Sequence, residues 1–279
     1  PAAVAFEEAC ALPVTWSTTH AALERARLRA GVSVFVQAAA GGGVAHVGVG
    51  DAVLGWAHAP LAHAAGADAR LLGRKPAALS FEAACTLPTV WCTVNLAFER
   101  AGLRTGHKAL VHATAGGVGL AAIGHAHGLR VGVTGSAGRP HKHAMVRAQG
   151  VLQMLSSRDG GACACGGVAQ RGGTRLRLVL NSLSLDFISA SVALLGEGGC
   201  FEEIGKRGVW SVARVAAAGG PAYGAVALDS EMAAAPRWMQ GVLGVLSAGL
   251  GGDAEDGLQR HSCDVARQGG AAVQLLRGG

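Results

Sequence analysis

One stretch, residues 108–130, constrains the fold more than any other part of the sequence. An apolar run over residues 109–113 is followed by Gly116-Gly117-Val118-Gly119 and then by an Ala-rich segment that continues to residue 127. This order predicts a strand, a glycine turn and a helix. A turn without side chains lets backbone N–H groups and the helix N-terminus approach a pyrophosphate. We therefore expect Gly116, Gly117, Val118 and Gly119 to bind the phosphates of a dinucleotide.

The glycine turn departs from the G-x-G-x-x-G spacing of dinucleotide-binding proteins. The second and third fingerprint glycines are present, but Thr114 or Ala115 stands where the first one belongs. In a chain with 44 glycines, an ordinary tight turn between a strand and a helix is the alternative interpretation at this point.

Alternation of strand and helix patterns continues beyond the turn. Short apolar runs predict strands, and the segments between them predict helices, one of which has a proline in its first turn. The strands are expected at residues 130–134, 175–180 and 199–204, and the helices at residues 140–149 and 186–195. This pattern predicts an α/β protein with a Rossmann-type, doubly wound parallel sheet. Outside that region we expect a strand at residues 50–55, a helix capped by Ser80, and helices at residues 90–101 and 233–248.

The chain contains an internal repeat. Residues 6–13 (FEEACALP) reappear as residues 81–88 (FEAACTLP), and the Ala-Gly-Gly at residues 40–42 matches the one at residues 115–117. The first copy lacks the closing glycine and the long helix that follow the second. Residues 1–42 are therefore interpreted as a partial duplicate that binds no second nucleotide.

Composition excludes several classes of function. The formal net charge is +6, but the cations are scattered and are not interleaved with aromatic residues, so nucleic-acid binding is not expected. The longest uncharged runs are broken by glycines and histidines, which argues against a membrane span. Seven scattered cysteines, an odd number, indicate reduced thiols and a cytoplasmic location. No zinc-ligand spacing is present, and no metal is expected.

A group of cations follows the second predicted strand. No Asp or Glu stands there to bind a ribose 2′-hydroxyl, whereas Ser136, Arg139, Lys142 and Arg158 offer a hydroxyl and positive charge. A 2′-phosphate needs such partners, so NADPH is favoured over NADH. The alternative is that these are solvated surface cations.

Two further residues follow predicted strands. Asn181 ends the strand at residues 175–180, and Lys206 follows the strand at residues 199–204. Ligands of doubly wound sheets gather at such strand ends, so Asn181 is expected to line the nicotinamide side and Lys206 to lie near it. An ordinary strand end and an exposed loop lysine are the alternatives.

The motifs together resemble a known family. Residues 110–119 (LVHATAGGVG) are similar to the NADPH-binding motif of medium-chain reductases of the quinone oxidoreductase type. Residues 138–143, 179–183 and 203–211 extend the likeness, in this order, to the enoyl reductase domain of modular polyketide synthases and animal-type fatty acid synthases. The resemblance covers about residues 50–210.

This resemblance implies NADPH-dependent reduction of the α,β double bond of an enoyl thioester, with hydride transfer to Cβ. It also implies that Lys142 or Asp159 donates the proton, although Lys142 cannot easily serve the 2′-phosphate as well and is assigned to cofactor binding first. The implied partners are an acyl-carrier-bound enoyl thioester and other domains of the same synthase. The oligomeric state stays open, with a homodimer among the alternatives.

The resemblance also implies a domain layout. Residues 1–42 are the duplicate, residues 43–90 a remnant of a GroES-like substrate domain with a connecting helix, residues 91–228 the NADPH-binding domain, and residues 229–279 a truncated part of the substrate domain. Because the GroES-like part is incomplete, the isolated chain is expected to bind NADPH but to reduce an enoyl thioester slowly. A non-catalytic remnant of a synthase and a free-standing quinone oxidoreductase are the alternative functions.

Overall fold

The computed structural model describes residues 46–48, 50–58, 65–151, 153–158, 175–183, 186–205, 209–217 and 219–249. The chain forms two compact units. One unit is Val90–Glu231, and the other combines chain on either side of it, with its described residues between positions 46 and 89 and between positions 232 and 249. The duplicate expected at residues 1–42 lies outside the described residues.

The Val90–Glu231 unit is built on a six-stranded sheet with the order β5-β4-β3-β6-β7-β8. All five strand pairs are parallel. The strands are β3 (Lys108–Val111), β4 (Gly132–Ala137), β5 (Gln153–Ser156), β6 (Leu176–Asn181), β7 (Leu195–Glu203) and β8 (Ala222–Ala225). The chain order reverses between β3 and β6, which makes this the topological switch point of a doubly wound sheet. The predicted Rossmann-type α/β fold is confirmed.

Helices cover both faces of this sheet. They are α2 (Leu87–Arg100), α3 (Gly117–Leu129), α4 (Pro140–Ala148), α5 (Asp186–Val192) and α6 (Val212–Ala217). A further short helix, α7 (Leu228–Ala234), has no buried residue. Residues of α2 and α3 pack on one face of β3 and β6, and Ile188 of α5 packs on the other. Burial on both faces explains why β3 and β6 are continuously apolar rather than alternating. Within the part of the chain that the structure describes, no helix combines the length and apolar character needed to cross a membrane.

The boundary of β4 differs from the sequence prediction. The strand begins at Gly132 and ends at Ala137, instead of occupying residues 130–134. Arg130 does not join the strand because it caps α3 in the left-handed conformation (φ 55°, ψ 42°), and its N–H donates to the carbonyls of Ala126 and His127. Ser136 therefore lies inside the strand and not in the loop after it. The short elements β5, β8, α6 and α7 were not predicted.

The second unit contains an antiparallel pair, β1 (Val53–Gly55) and β2 (Leu72–Arg74), and the helices α1 (Phe81–Cys85) and α8 (Pro236–Gly249). The predicted cap of α1 is confirmed, since the Ser80 side chain accepts a hydrogen bond from the Ala83 N–H. Helix α8 buries an apolar stripe at helical spacing, formed by Met239, Val242, Leu243 and Leu246. The hydroxyl of Ser247 at its end donates to the carbonyl of Arg74.

The left-handed cap of α3 generates a stability prediction. Arg130 has a φ that costs a side-chain-bearing residue roughly 1 kcal/mol or more relative to glycine. We expect Arg130→Gly to raise the free energy of unfolding by about 1 kcal/mol in urea titrations, allowing for the entropy lost by glycine. Arg130→Ala is the matched control and is expected to bring no gain. Equal stabilities for the two variants would contradict the prediction.

Candidate cofactor-binding site

The carboxyl ends of β3 and β6 border the switch point, where doubly wound sheets bind ligands, and we call this region the crevice. The glycine turn lies directly after β3. Helix α3 begins at Gly117, with Gly116 as its N-cap. Gly116 and Gly117 are exposed. The first N–H groups of a helix have no partner within the helix, and they carry its positive partial charge. The predicted strand, turn and helix therefore present an anion-binding surface at the sheet edge where doubly wound proteins bind ligands.

Gly119 fixes the distance between α3 and the turn. A Cβ atom at this position would lie 2.3 Å from the Thr114 carbonyl oxygen and 2.5 Å from its Cα. Only glycine allows this approach, which is the role of the third fingerprint glycine. Counting back along the G-x-G-x-x-G spacing puts the second glycine at Gly116 and gives the first position to Thr114, one of the two residues that the sequence left open.

Thr114 ties the turn to β4. Its hydroxyl donates to the Val111 carbonyl (2.7 Å) and accepts from the Ser136 N–H (2.8 Å), while its own N–H donates to the Ser136 carbonyl (2.9 Å). Gly135 makes room for this side chain, because a Cβ there would lie 2.6 Å from the Thr114 Oγ1. Ala113, the residue before Thr114, adopts a left-handed φ of 49°. The turn is thus held by hydrogen bonds to a neighbouring strand.

His112 is buried beneath the turn, with 3% of its surface exposed. Its Nδ1 is 2.9 Å from the Ser136 Oγ, and its Nε2 is 2.8 Å from the Ser191 Oγ. Burial lowers the pKa of His112 from 6.5 to about 4, so the imidazole is neutral at physiological pH. Ser136 is fully buried and its hydroxyl faces this ring. That placement does not match the expected contact of the Ser136 hydroxyl with a 2′-phosphate.

The cations after β4 lie at the rim of the crevice. Arg139 is the N-cap residue of α4, Lys142 lies in the first turn of that helix, and Arg158 follows β5. A Cβ at Gly138 would be 3.2 Å from the Arg158 Nε, so the Arg158 guanidinium lies against the turn that leads into α4. The structure thus brings Arg158 beside the Gly138-Arg139 turn although 19 positions separate the two arginines. Arg139 and Arg158 are exposed, and Lys142 is half-buried.

Asn181 uses its amide for hydrogen bonds within the protein. It is fully buried, and its amide nitrogen donates to the Leu183 carbonyl (2.8 Å) and to the Glu203 carboxylate (2.7 Å), while its oxygen accepts from the Leu183 N–H. Glu203 also accepts from the Gly205 N–H, and burial raises its pKa above the usual range. Asn181 therefore shapes the loop after β6 instead of presenting its amide to a ligand. The other two predicted residues, Asp159 and Lys206, lie outside the described residues.

Comparisons with known proteins support the fold. No family model matches the chain. It is 37% identical over 229 residues to the pikromycin polyketide synthase component PikAII of Streptomyces venezuelae, a match that covers 81% of this chain and 6% of that protein. Among solved structures it is similar to the CurK enoyl reductase, with a TM-score of 0.73, 26% identity, and coverage of 84% of this chain and 71% of that one.

The relatives of this chain are polyketide synthases, and its structural neighbours are enoyl reductase domains of such synthases. Its fold is that of the medium-chain dehydrogenase/reductase superfamily, as the resemblance implied. Another similar structure is mycobacterial Rv1454c complexed with NADPH, with a TM-score of 0.62, 26% identity, and coverage of 71% of this chain and 63% of that one. This enoyl reductase-type chain spans only a small part of the length of its synthase relative.

Sequence reasoning missed three residues of the site in this enoyl reductase-type domain. His112, Ser191 and Glu203 are all buried and form hydrogen bonds around the crevice. One signal was available, since a histidine at the end of an apolar strand must find partners for both ring nitrogens when it is buried. Ser191 lies 79 positions away, and nothing in the local pattern identifies it.

The close approach at Gly119 leads to a prediction about binding. Gly119→Ala places a methyl group against the backbone of Thr114, so the turn must shift and the helix N-terminus must move with it. We expect NADPH affinity, measured by fluorescence titration, to fall at least tenfold, which corresponds to about 1.4 kcal/mol.

The control for this variant is Gly124→Ala in the same helix, where a Cβ meets nothing within 4 Å. It is expected to leave affinity unchanged and to stabilise the fold by up to about 1 kcal/mol. Unchanged NADPH binding by Gly119→Ala would show that the turn does not contact the cofactor.

The depressed pKa of His112 predicts a pH dependence of stability. Between about pH 6.5 and pH 4 the unfolded chain protonates His112 while the folded chain does not, so stability falls as the pH is lowered through this window. The loss is about 3 kcal/mol at pH 4. Other groups also titrate there, so the measurement is the difference in urea-unfolding free energy between wild type and His112→Gln. As the pH is lowered, the unfolding free energy of the wild type is expected to fall relative to that of His112→Gln. Parallel pH profiles of the two proteins would contradict the prediction.

Proposed function

We propose that this chain binds NADPH at the carboxyl edge of its sheet and reduces the α,β double bond of a carrier-bound enoyl thioester. The observation that carries the proposal is the close approach of Gly119 to Thr114, which presents the N-terminus of α3 to the crevice. The N–H groups of Gly117, Val118 and Gly119 supply the binding surface for the pyrophosphate. The Gly116 N–H donates to the Ala113 carbonyl (2.9 Å), and Gly116 contributes as the N-cap that lets the phosphate approach. Such N–H groups and the helix dipole favour a bound anion.

The rim cations supply the preference for a 2′-phosphate. Arg139, Lys142 and Arg158 lie in a stretch, residues 132–158, that contains no Asp or Glu. In doubly wound proteins that bind NAD, an acidic side chain near the end of the second strand holds the ribose 2′-hydroxyl. Here that side chain is missing and cations replace it, which supports NADPH over NADH. Arginine can also bind phosphate through two parallel hydrogen bonds.

The loop after β6, to which Asn181 and Glu203 are hydrogen-bonded, would lie next to the nicotinamide of bound NADPH. NADPH, when bound, supplies the hydride that adds to Cβ of the enoyl thioester. The protein must then stabilise the enolate that develops and deliver a proton to Cα. Lys142 and Asp159 are the proposed proton donors, with Lys142 engaged first in cofactor binding, and Lys206 is proposed to lie near the cofactor.

The reaction is tested with deuterium. The chain is incubated with NADPH deuterated at C4, in each of its two configurations, and with a crotonyl thioester of a carrier protein. We expect butyryl thioester with deuterium at Cβ from one of the two cofactors, even if turnover is slow. Absence of reduced product at saturating NADPH would contradict the reaction and would favour a non-catalytic remnant. Reduction of a quinone but not of the thioester would favour a quinone oxidoreductase.

Cofactor preference depends on the rim cations. Charge-assisted hydrogen bonds contribute roughly 1.5–3 kcal/mol each, so Arg139→Ala, Lys142→Ala and Arg158→Ala are each expected to weaken NADPH binding about tenfold or more. Binding of NADH, which lacks the 2′-phosphate, is expected to change less than twofold. Calorimetric titration with both cofactors makes the comparison.

Arg147→Ala is the matched control, because Arg147 lies on the same helix as Lys142 but in its last turn, where its side chain is exposed. This variant is expected to change the affinity for neither NADPH nor NADH. Equal losses of NADPH and NADH affinity in the three variants would show that the 2′-phosphate lies elsewhere.

A further inference from the structure

We propose that His112 is a positioning residue that holds the pyrophosphate turn in its binding conformation and links it to the loop on the nicotinamide side. The inference rests on the proposed function and adds a residue to it. Only 3% of the His112 surface is exposed, so the residue offers almost no surface to which the cofactor could bind directly. Its influence on binding is therefore exerted through the groups that it contacts.

Three structural elements meet at the imidazole. The ring belongs to the residue after β3, Ser136 belongs to β4, and Ser191 belongs to α5. Both ring nitrogens are within 2.9 Å of a serine hydroxyl, and the ring packs edge-on against Phe187 with centroids 5.8 Å apart. A neutral imidazole has one donor and one acceptor, and a hydroxyl can serve either, so both ring nitrogens and both serine hydroxyls have a hydrogen-bond partner.

The link to the turn runs through Ser136 and Ala113. The same Ser136 hydroxyl that contacts the ring accepts a hydrogen bond from the Ala113 N–H (3.3 Å). Ala113 holds the left-handed conformation that redirects the chain from β3 into the turn. Such a conformation persists only where its surroundings hold it. The imidazole fixes the position of the hydroxyl, and the hydroxyl fixes the Ala113 N–H.

The link to the nicotinamide side runs through the backbone of His112. Its N–H donates to the Leu180 carbonyl (3.0 Å), and its carbonyl accepts from the Ser182 hydroxyl (3.4 Å). Ser182 belongs to the loop that Asn181 shapes. One residue therefore joins the turn proposed for the pyrophosphate to the loop proposed for the nicotinamide. The rim cations follow the ends of β4 and β5, beyond the strand residue Ser136 that contacts the imidazole.

This separation allows a test with two ligands. NADPH occupies the whole site, whereas adenosine 2′-monophosphate carries the 2′-phosphate but no pyrophosphate. We expect His112→Phe, which keeps a ring beside Phe187 but loses both hydrogen bonds, to raise the dissociation constant of NADPH about tenfold. The dissociation constant of adenosine 2′-monophosphate is expected to stay within twofold of the wild-type value.

The matched control is His125→Phe, since His125 also lies among aromatic rings in the same unit, 5.2 Å from those of Trp91 and Phe98. It is expected to leave both constants unchanged. If His112→Phe fails to fold, Ser191→Ala takes its place, because it removes only the partner of Nε2. We expect it to raise the dissociation constant of NADPH about threefold. His112→Gln, which retains a donor and an acceptor, is expected to recover part of the lost affinity.

The outcomes separate the two proposals. If His112→Phe weakens the binding of both ligands equally, His112 serves the fold as a whole. If it leaves NADPH binding unchanged, His112 does not support the turn. Either result overturns the inference. If the wild-type chain binds adenosine 2′-monophosphate but not NADPH, the proposed pyrophosphate site itself is wrong. If it binds neither, the proposed function fails.

Discussion

The contact between Gly119 and the backbone of Thr114 is the constraint on which the rest of the site depends. Because α3 has no side chain at that point, its first turn can lie directly against the end of β3. This brings the helix N-terminus into the crevice at the switch point and places Thr114 where it can bridge to β4. A larger residue at position 119 would separate the helix from the turn, and the free N–H groups would no longer face a common point.

The crevice combines a buried, hydrogen-bonded floor with a charged rim. Beneath the turn, burial keeps His112 neutral. The Asn181 amide nitrogen donates a hydrogen bond to one oxygen of the Glu203 carboxylate. The cations are confined to the exposed ends of β4 and β5. A floor whose polar groups satisfy each other is rigid, while exposed cations remain available to a phosphate. Glu202, the neighbour of Glu203, points to the other side of the strand, where it pairs with Arg100 at 3.3 Å.

The sequence predicted the parts of the fold that local patterns determine. The strand, turn and helix from β3 to α3 follow from an apolar run, glycines and an Ala-rich segment. The limits of β4 could not be predicted, because Arg130 caps α3 in a conformation that glycine usually adopts. That shift moved Ser136 from a loop into the core. His112, Ser191 and Glu203 were missed for another reason, since their hydrogen bonds join residues 22 to 79 positions apart.

The most direct test of the proposed site is a crystal structure of the chain with NADP⁺ bound. The pyrophosphate is predicted to accept hydrogen bonds from N–H groups of the segment from Gly116 to Gly119, with the 2′-phosphate within reach of Arg139 and Arg158. The nicotinamide is predicted to lie beside the loop after Asn181. A dinucleotide bound away from the carboxyl ends of β3 and β6, or a 2′-phosphate pointing away from both arginines, would contradict the proposed site.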